Sequence, residues 1–151
     1  MGENSDQLNA LTGKAAVMNN AVIQNKLSRI EEYLTKLESV TPAELIAYEK
    51  EWKTQMIAER GLQLLIEIMI DVANRLIAVK NWGPTTSSAD SIRLLALKKV
   101  ISSEEPYLKM IKFRNFIVHN YDKVDNRIVY SILTKNLDDI RRFREEVLNY
   151  E

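Results

Sequence analysis

The chain has no cysteine. Disulfides, thiol nucleophiles and the common cysteine-based zinc frameworks are therefore excluded. It has one histidine, His119, too few to build a structural transition-metal site from imidazoles. No metal and no cofactor are expected. The four glycines and three prolines are too few for a turn-rich β fold. An excess of charge of one sign is missing as well, because 21 basic residues offset 21 acidic ones. A free-standing, non-specific nucleic-acid binder usually carries a clear positive excess, so any RNA or DNA contact must come from a local patch. No apolar run reaches the ~18 residues of a membrane helix. Residues 1–17 also lack the apolar core of a signal peptide. The expectation is a soluble, cytoplasmic protein with no membrane partner.

What is present is material for one core. At 151 residues, 46% of them hydrophobic, the chain reads as one domain. Residues 1–17 show little periodicity, and Met18 follows them; they are expected to be a flexible leader or tag ahead of a single domain over 18–151. From there the apolar residues recur at three and four positions. Val22, Ile23, Leu27, Ile30, Leu34 and Leu37 mark a helix over 22–38. Thr41, Pro42 and Glu44 have the spacing of a capping box that opens the next helix. That helix either runs on to about residue 79 or breaks between Tyr48 and Trp52. Leu62, Leu65, Ile66, Met69, Ile70, Ala73, Leu76 and Ile77 form its wide apolar face.

Gly83-Pro84 marks a loop, after which Ser87 or Ser88 can cap a helix to about Ile101. Ser103-Glu104-Glu105-Pro106 opens another, with Phe113, Phe116, Ile117 and Val118 expected in the core. Asp125 can cap a last segment with Ile128, Val129, Ile132, Leu133, Leu137, Ile140, Phe143 and Val147 as its core face. Asn136 with Asp139 could restart a helix inside it. The fold expected is all-α, an antiparallel helical bundle of four to five main helices.

Two polar sets stand out against this apolar pattern. Arg60, Glu67, Asp71 and Asn74, spaced seven, four and three apart, share one narrow stripe of a very apolar helix. They are either an ordinary solvated edge or a polar rail facing a site. The second set is the stretch from Phe113 to Tyr121. Arg114 offers a permanent charge on a planar fork of donors that suits phosphate. His119 is the one side chain type here that exchanges protons near neutrality. Arg114 and Tyr121 share one helix face, and Asn115 and His119 share another. Arg114 and His119 stand ~140° apart round the helix. An arginine beside a histidine is a minimal kit for cutting RNA. The base deprotonates the ribose 2′-OH, which attacks the adjacent phosphorus, and the arginine stabilises the charge that develops. On chemistry alone a structural histidine and a surface arginine account for the same residues.

The pattern Arg114-x-x-x-x-His119-x-Tyr121, in an all-helical chain of this size, resembles the HEPN superfamily and within it the HepT-like toxins. The segment Glu59-Arg60-Gly61-Leu62-Gln63, with Ile66-Glu67 and Ile70-Asp71-Val72-Ala73-Asn74, resembles that family's second signature. Together they cover most of residues 18–151. One departure is Arg75, where the family often has histidine. The resemblance implies a metal-independent endoribonuclease toxin, a homodimer whose paired motifs line one cleft around an RNA substrate. It implies a nucleotidyltransferase antitoxin of the MntA type that can transfer AMP to Tyr121. Arg114 and His119 are then catalytic, Asn115 supports the local geometry, and Asp71 and Glu67 are candidates to orient them. Lys109, Lys112, Lys123 and Arg127 flank the motif and could hold RNA phosphates. The alternatives are a non-catalytic HEPN subunit that binds nucleotide or scaffolds a nucleotidyltransferase, and a plain helical adaptor.

Overall fold

A computed structural model describes the backbone of residues 2–120 and 124–150, and the side chains of residues 20–119 and 124–150. The described residues form seven helices and no strand. They are α1 (Gly2–Val40), α2 (Leu45–Lys50), α3 (Trp52–Lys80), α4 (Ser88–Leu97), α5 (Glu105–Asn120), α6 (Asn126–Lys135) and α7 (Leu137–Asn149). The all-α expectation holds. The count exceeds four or five because α2 is only six residues long and the last segment divides at Asn136. Asn136 donates to the Asp139 carboxylate there at 3.0 Å. Of the two readings of residues 42–79, the broken one is observed. The backbone of α1 is helical back to Gly2, and among its described side chains the buried face begins at Ile23.

The two long helices α1 and α3 run antiparallel and form the spine. Lys26 meets Asp71 at one end, and Leu37 meets Gly61 at the other. A Cβ on Gly61 would lie 2.7 Å from Leu37 Cδ2, so the absence of a side chain there permits the close approach. Every one of the eight apolar positions expected on α3 is buried. Helix α7 lies antiparallel to α1. Arg144 Nε donates to the Leu27 carbonyl at 2.9 Å, and Arg141 bonds Glu38. Inside, Tyr107 of α5 packs edge-on against Phe143 and donates its hydroxyl to the Asp139 carbonyl at 2.9 Å.

Two boundaries differ from expectation for local reasons. Thr41 does not cap α2. Its hydroxyl donates back to the Leu37 carbonyl at 2.6 Å, closing α1, while Glu44 precedes α2 without a side-chain cap. Helix α4 stops at Leu97 rather than Ile101. Lys99 turns left-handed at φ 62°, and the N–H groups of Lys99 and Val100 bond back to Ala96 and Leu95. This is a Schellman closure with lysine in the place glycine usually takes. Val100 and Ile101 stay buried without continuing the helix. Helix α3 ends in the same way, with Asn81 left-handed at φ 58°.

Three residues expected in the core are not in it. Phe116 and Val118 on α5 and Ile128 on α6 are 42, 48 and 53% exposed. The buried side of α5 is held by Tyr107, Met110, Ile111, Phe113 and Ile117. Phe116 lies away from that side, whereas Val118 falls within its arc but near the end of the helix.

Candidate active site on helix α5

Helix α5 carries Arg114, Asn115 and His119 on different sides of one rod. Arg114 points inward and is half-buried; Asn115 and His119 are exposed. The divergence expected from their spacing is thus present, and within a single chain the two side chains face different surroundings.

The surroundings of Arg114 are built by the start of α4. Ser87 caps that helix, accepting from the Asp90 N–H at 3.1 Å. The cap turns the chain so that Ser88 faces α5. Arg114 Nη2 donates to Ser88 Oγ at 3.4 Å, a long contact across 26 residues of sequence. Arg114 Nε is buried, with no acceptor among the described residues. Among the described residues the guanidinium makes no ion pair.

The α4 start is itself anchored. Ser91, a buried polar residue, donates to Asn74 Oδ1 of α3 at 2.5 Å. Thr85 Oγ1 lies 2.6 Å from the same Ser91 oxygen. A hydroxyl has one proton; with Ser91 donating to Asn74, Thr85 donates to Ser91. The chain Thr85–Ser91–Asn74 thereby ties the loop and α4 to the spine. Sequence reading names Ser88 only as a possible cap and misses Ser91 and Thr85. The signal available was Asn74, a polar residue on an apolar helix that needed a partner.

The polar stripe of α3 does not act as one rail toward α5. Asp71 pairs with Lys26 of α1 at 2.6 Å and with Arg75 at 3.4 Å. Burial pushes its carboxyl up, but the two cations outweigh burial and hold it below the usual carboxylate range. Arg75, at the position of the family's histidine, is therefore part of an Asp71 cluster. Glu67 accepts from Gln63 at 3.2 Å, and Arg60 is exposed. Only Asn74 turns toward α4. The orienting role expected of Asp71 and Glu67 has no contact to Arg114 or His119 behind it in the single chain.

Lys109, Lys112 and Arg127 are exposed beside the motif. Lys109 is loosely paired with Glu105 at 3.9 Å. Tyr121 and Lys123 lie outside the described residues, as does the side chain of Asn120. Among the described residues no group of three or more His, Cys, Asp or Glu could hold a metal ion. No helix among them is long and apolar enough to cross a membrane.

Comparison with known proteins bears on this site. A family model described as "Ribonuclease HepT-like" matches residues 30–147. The chain is 28% identical over 126 residues to an mRNA nuclease HepT of Shewanella oneidensis, covering 82% of this chain and 94% of that protein. It is 23% identical over 131 residues to a tRNA nuclease HepT of Aphanizomenon flos-aquae, covering 85% and 89%. Among solved structures, it is similar to the tri-AMPylated Shewanella oneidensis HEPN toxin in complex with MNT antitoxin. The TM-score is 0.79 at 26% identity, over 85% of this chain and 98% of that one. A toxin–antitoxin structure with AMP-PNP superposes with a TM-score of 0.80 at 25% identity, over 86% and 99%.

Proposed function

We propose a function from one premise: the chain belongs to the HepT-like ribonuclease family. It is an endoribonuclease toxin that needs no metal. It cuts RNA by attack of the ribose 2′-OH, acts in the cytoplasm as a homodimer, and is neutralised by a nucleotidyltransferase antitoxin of the MntA type. The observation that carries this reading is a half-buried Arg114, without an ion-pair partner among the described residues, on the same helix as an exposed His119. His119 takes the 2′-OH proton. The oxygen attacks phosphorus in line, the bond from phosphorus to the 5′-oxygen breaks, that oxygen takes a proton and leaves as the 5′-hydroxyl, and the Arg114 fork steadies the charge on the phosphoryl oxygens. The nucleophile belongs to the substrate, so no activated water is required. Incubating the purified protein with total RNA, with and without chelator, tests the reading. Equal cleavage in both supports it, whereas binding without cleavage points to a non-catalytic subunit.

Assembly follows from the same geometry. Arg114 and His119 face apart in one chain, so a second copy across a two-fold axis supplies the easiest convergence on one phosphate. The exposed Val118, next to Arg114 on its helix, adds apolar surface for that contact. Light scattering at micromolar concentration is expected to give the mass of a dimer; a monomer would remove the composite site.

Tyr121 lies outside the described residues, and its role rests on the family. The solved Shewanella toxin–antitoxin complex is described as tri-AMPylated. AMP on Tyr121, two residues beyond His119, would add negative charge and bulk where the RNA phosphate binds. Tyr121→Phe is expected to remain toxic when the cognate transferase is co-expressed. Equal detoxification of the variant would show that the modified residue lies elsewhere or that complex formation suffices.

A further inference from the structure

The outward side of α5 carries more than His119. Lys109, Lys112, Phe116 and His119 are spaced three, four and three apart, so they form one exposed stripe along the helix. The stripe spans about 15 Å at helical rise. Beside it, α6 leaves two adjoining hollows of about 430 and 370 Å³, which share Lys109, Phe113 and Ile128. Their floor is apolar: Phe113 is buried, and Phe116 and Ile128 stand at the lip, 42 and 53% exposed. Their rim is cationic, with Lys109 and Arg127 on the first hollow and Lys109 and Lys112 on the second. Lys112 and the Arg127 guanidinium make no ion pair among the described residues, and Lys109 has only its distant Glu105. The one carboxylate in the lining, Asp125, accepts from the Arg127 N–H at 2.8 Å as the α6 cap.

We propose that this stripe and groove form a binding track for single-stranded RNA that leads to His119, with Phe116 stacking on a base and Lys109, Lys112 and Arg127 holding backbone phosphates. The proposal rests on the ribonuclease reading. An exposed aromatic between lysines is the combination that binds single strands: the ring accepts any base face, and the cations follow the backbone. A chain with no net charge needs such a local concentration to hold RNA at all. The track also accounts for Phe116 and Ile128 standing in solvent at a position where either could have been polar. It favours single strands because a base paired inside a duplex cannot lay its face on Phe116.

The test uses full-length protein carrying His119→Ala, so that RNA survives, and a fluorescent single-stranded RNA read by anisotropy. Adding Phe116→Ala is expected to weaken binding about 5- to 150-fold, the range for loss of one stacked base. Phe116→Trp should retain affinity. Lys109→Ala and Lys112→Ala should each lower the slope of log affinity against log salt by about 0.7. Lys53→Ala, on α3, should change neither, and the same RNA in a duplex should bind more weakly. Unchanged affinity in the Phe116 and lysine variants overturns the track. So does a Phe116→Ala protein that falls to a smaller assembly and binds RNA as before, which would make the lip a protein interface. Cleavage by the unmutated protein is scored separately. Binding through the stripe without any cutting refutes the ribonuclease reading and leaves the track; cutting with indifferent stripe variants does the reverse.

Discussion

His119→Ala lowers the rate of RNA cleavage by roughly 10²–10⁴-fold, the range for loss of a positioned acid–base group. The chain has one histidine, so no other imidazole can take over the proton. The loss should appear in kcat rather than in affinity, because His119 acts on the proton of the attacking hydroxyl and contributes little to holding the strand. The side chain is exposed and makes no hydrogen bond among the described residues, so circular dichroism and thermal midpoint should match the parent. A variant that cuts within a few-fold of the parent would mean that His119 is not the base. A variant that fails to fold would mean that its place at the end of α5 is structural.

Arg114→Ala costs on the order of 10²–10³-fold, by comparison with removal of one donor to a developing oxyanion. Arg114 is half-buried, its Nη2 reaches Ser88 at 3.4 Å, and its Nε has no acceptor among the described residues. A guanidinium with so few partners adds little to stability, and its removal relieves a buried donor that costs roughly 1–3 kcal/mol when unsatisfied. The variant should therefore be as stable as the parent, or slightly more so, while activity collapses. Arg114→Lys keeps the charge but loses the planar fork and should recover only part of the rate. Activity is read with the same RNA used for His119→Ala, and stability by urea titration. A large loss of stability with activity intact would return Arg114 to a structural role.

The parts of this molecule that announced themselves in sequence are those set by local rules. The eight apolar positions from Leu62 to Ile77 follow the helical period, and a helix so apolar must lie in the core. Asp125 and Ser87 are caps whose partners lie within three residues, and Asn136 meets the Asp139 carboxylate three residues on. Thr41 had the right neighbours for a cap, but its hydroxyl serves the helix behind it. A single chain of residues cannot say which end a hydroxyl will choose. Periodicity likewise marks the faces of α5 and α6 without saying where neighbouring helices stop covering them. By periodicity Phe116, Val118 and Ile128 therefore read as core, and they stand outside it. The motif residues were legible through their resemblance to a family, and the ~140° between Arg114 and His119 was legible through geometry. The Ser88 contact and the Asn74–Ser91–Thr85 chain were not, because they depend on Asn74 meeting Ser91 and Ser88 meeting Arg114, 17 and 26 positions apart, through tertiary packing.

The central claim is the identity of the nucleophile. Mass spectrometry of the ends left on cut RNA tests it most directly. If the ribose 2′-OH attacks, the upstream fragment must carry a 2′,3′-cyclic phosphate and the downstream fragment a 5′-hydroxyl. The cut must survive EDTA, and it must be blocked by 2′-O-methylation at the cleaved nucleotide. A 3′-hydroxyl paired with a 5′-phosphate would mean that water, not the substrate, supplied the attacking oxygen, and would contradict the mechanism built on Arg114 and His119.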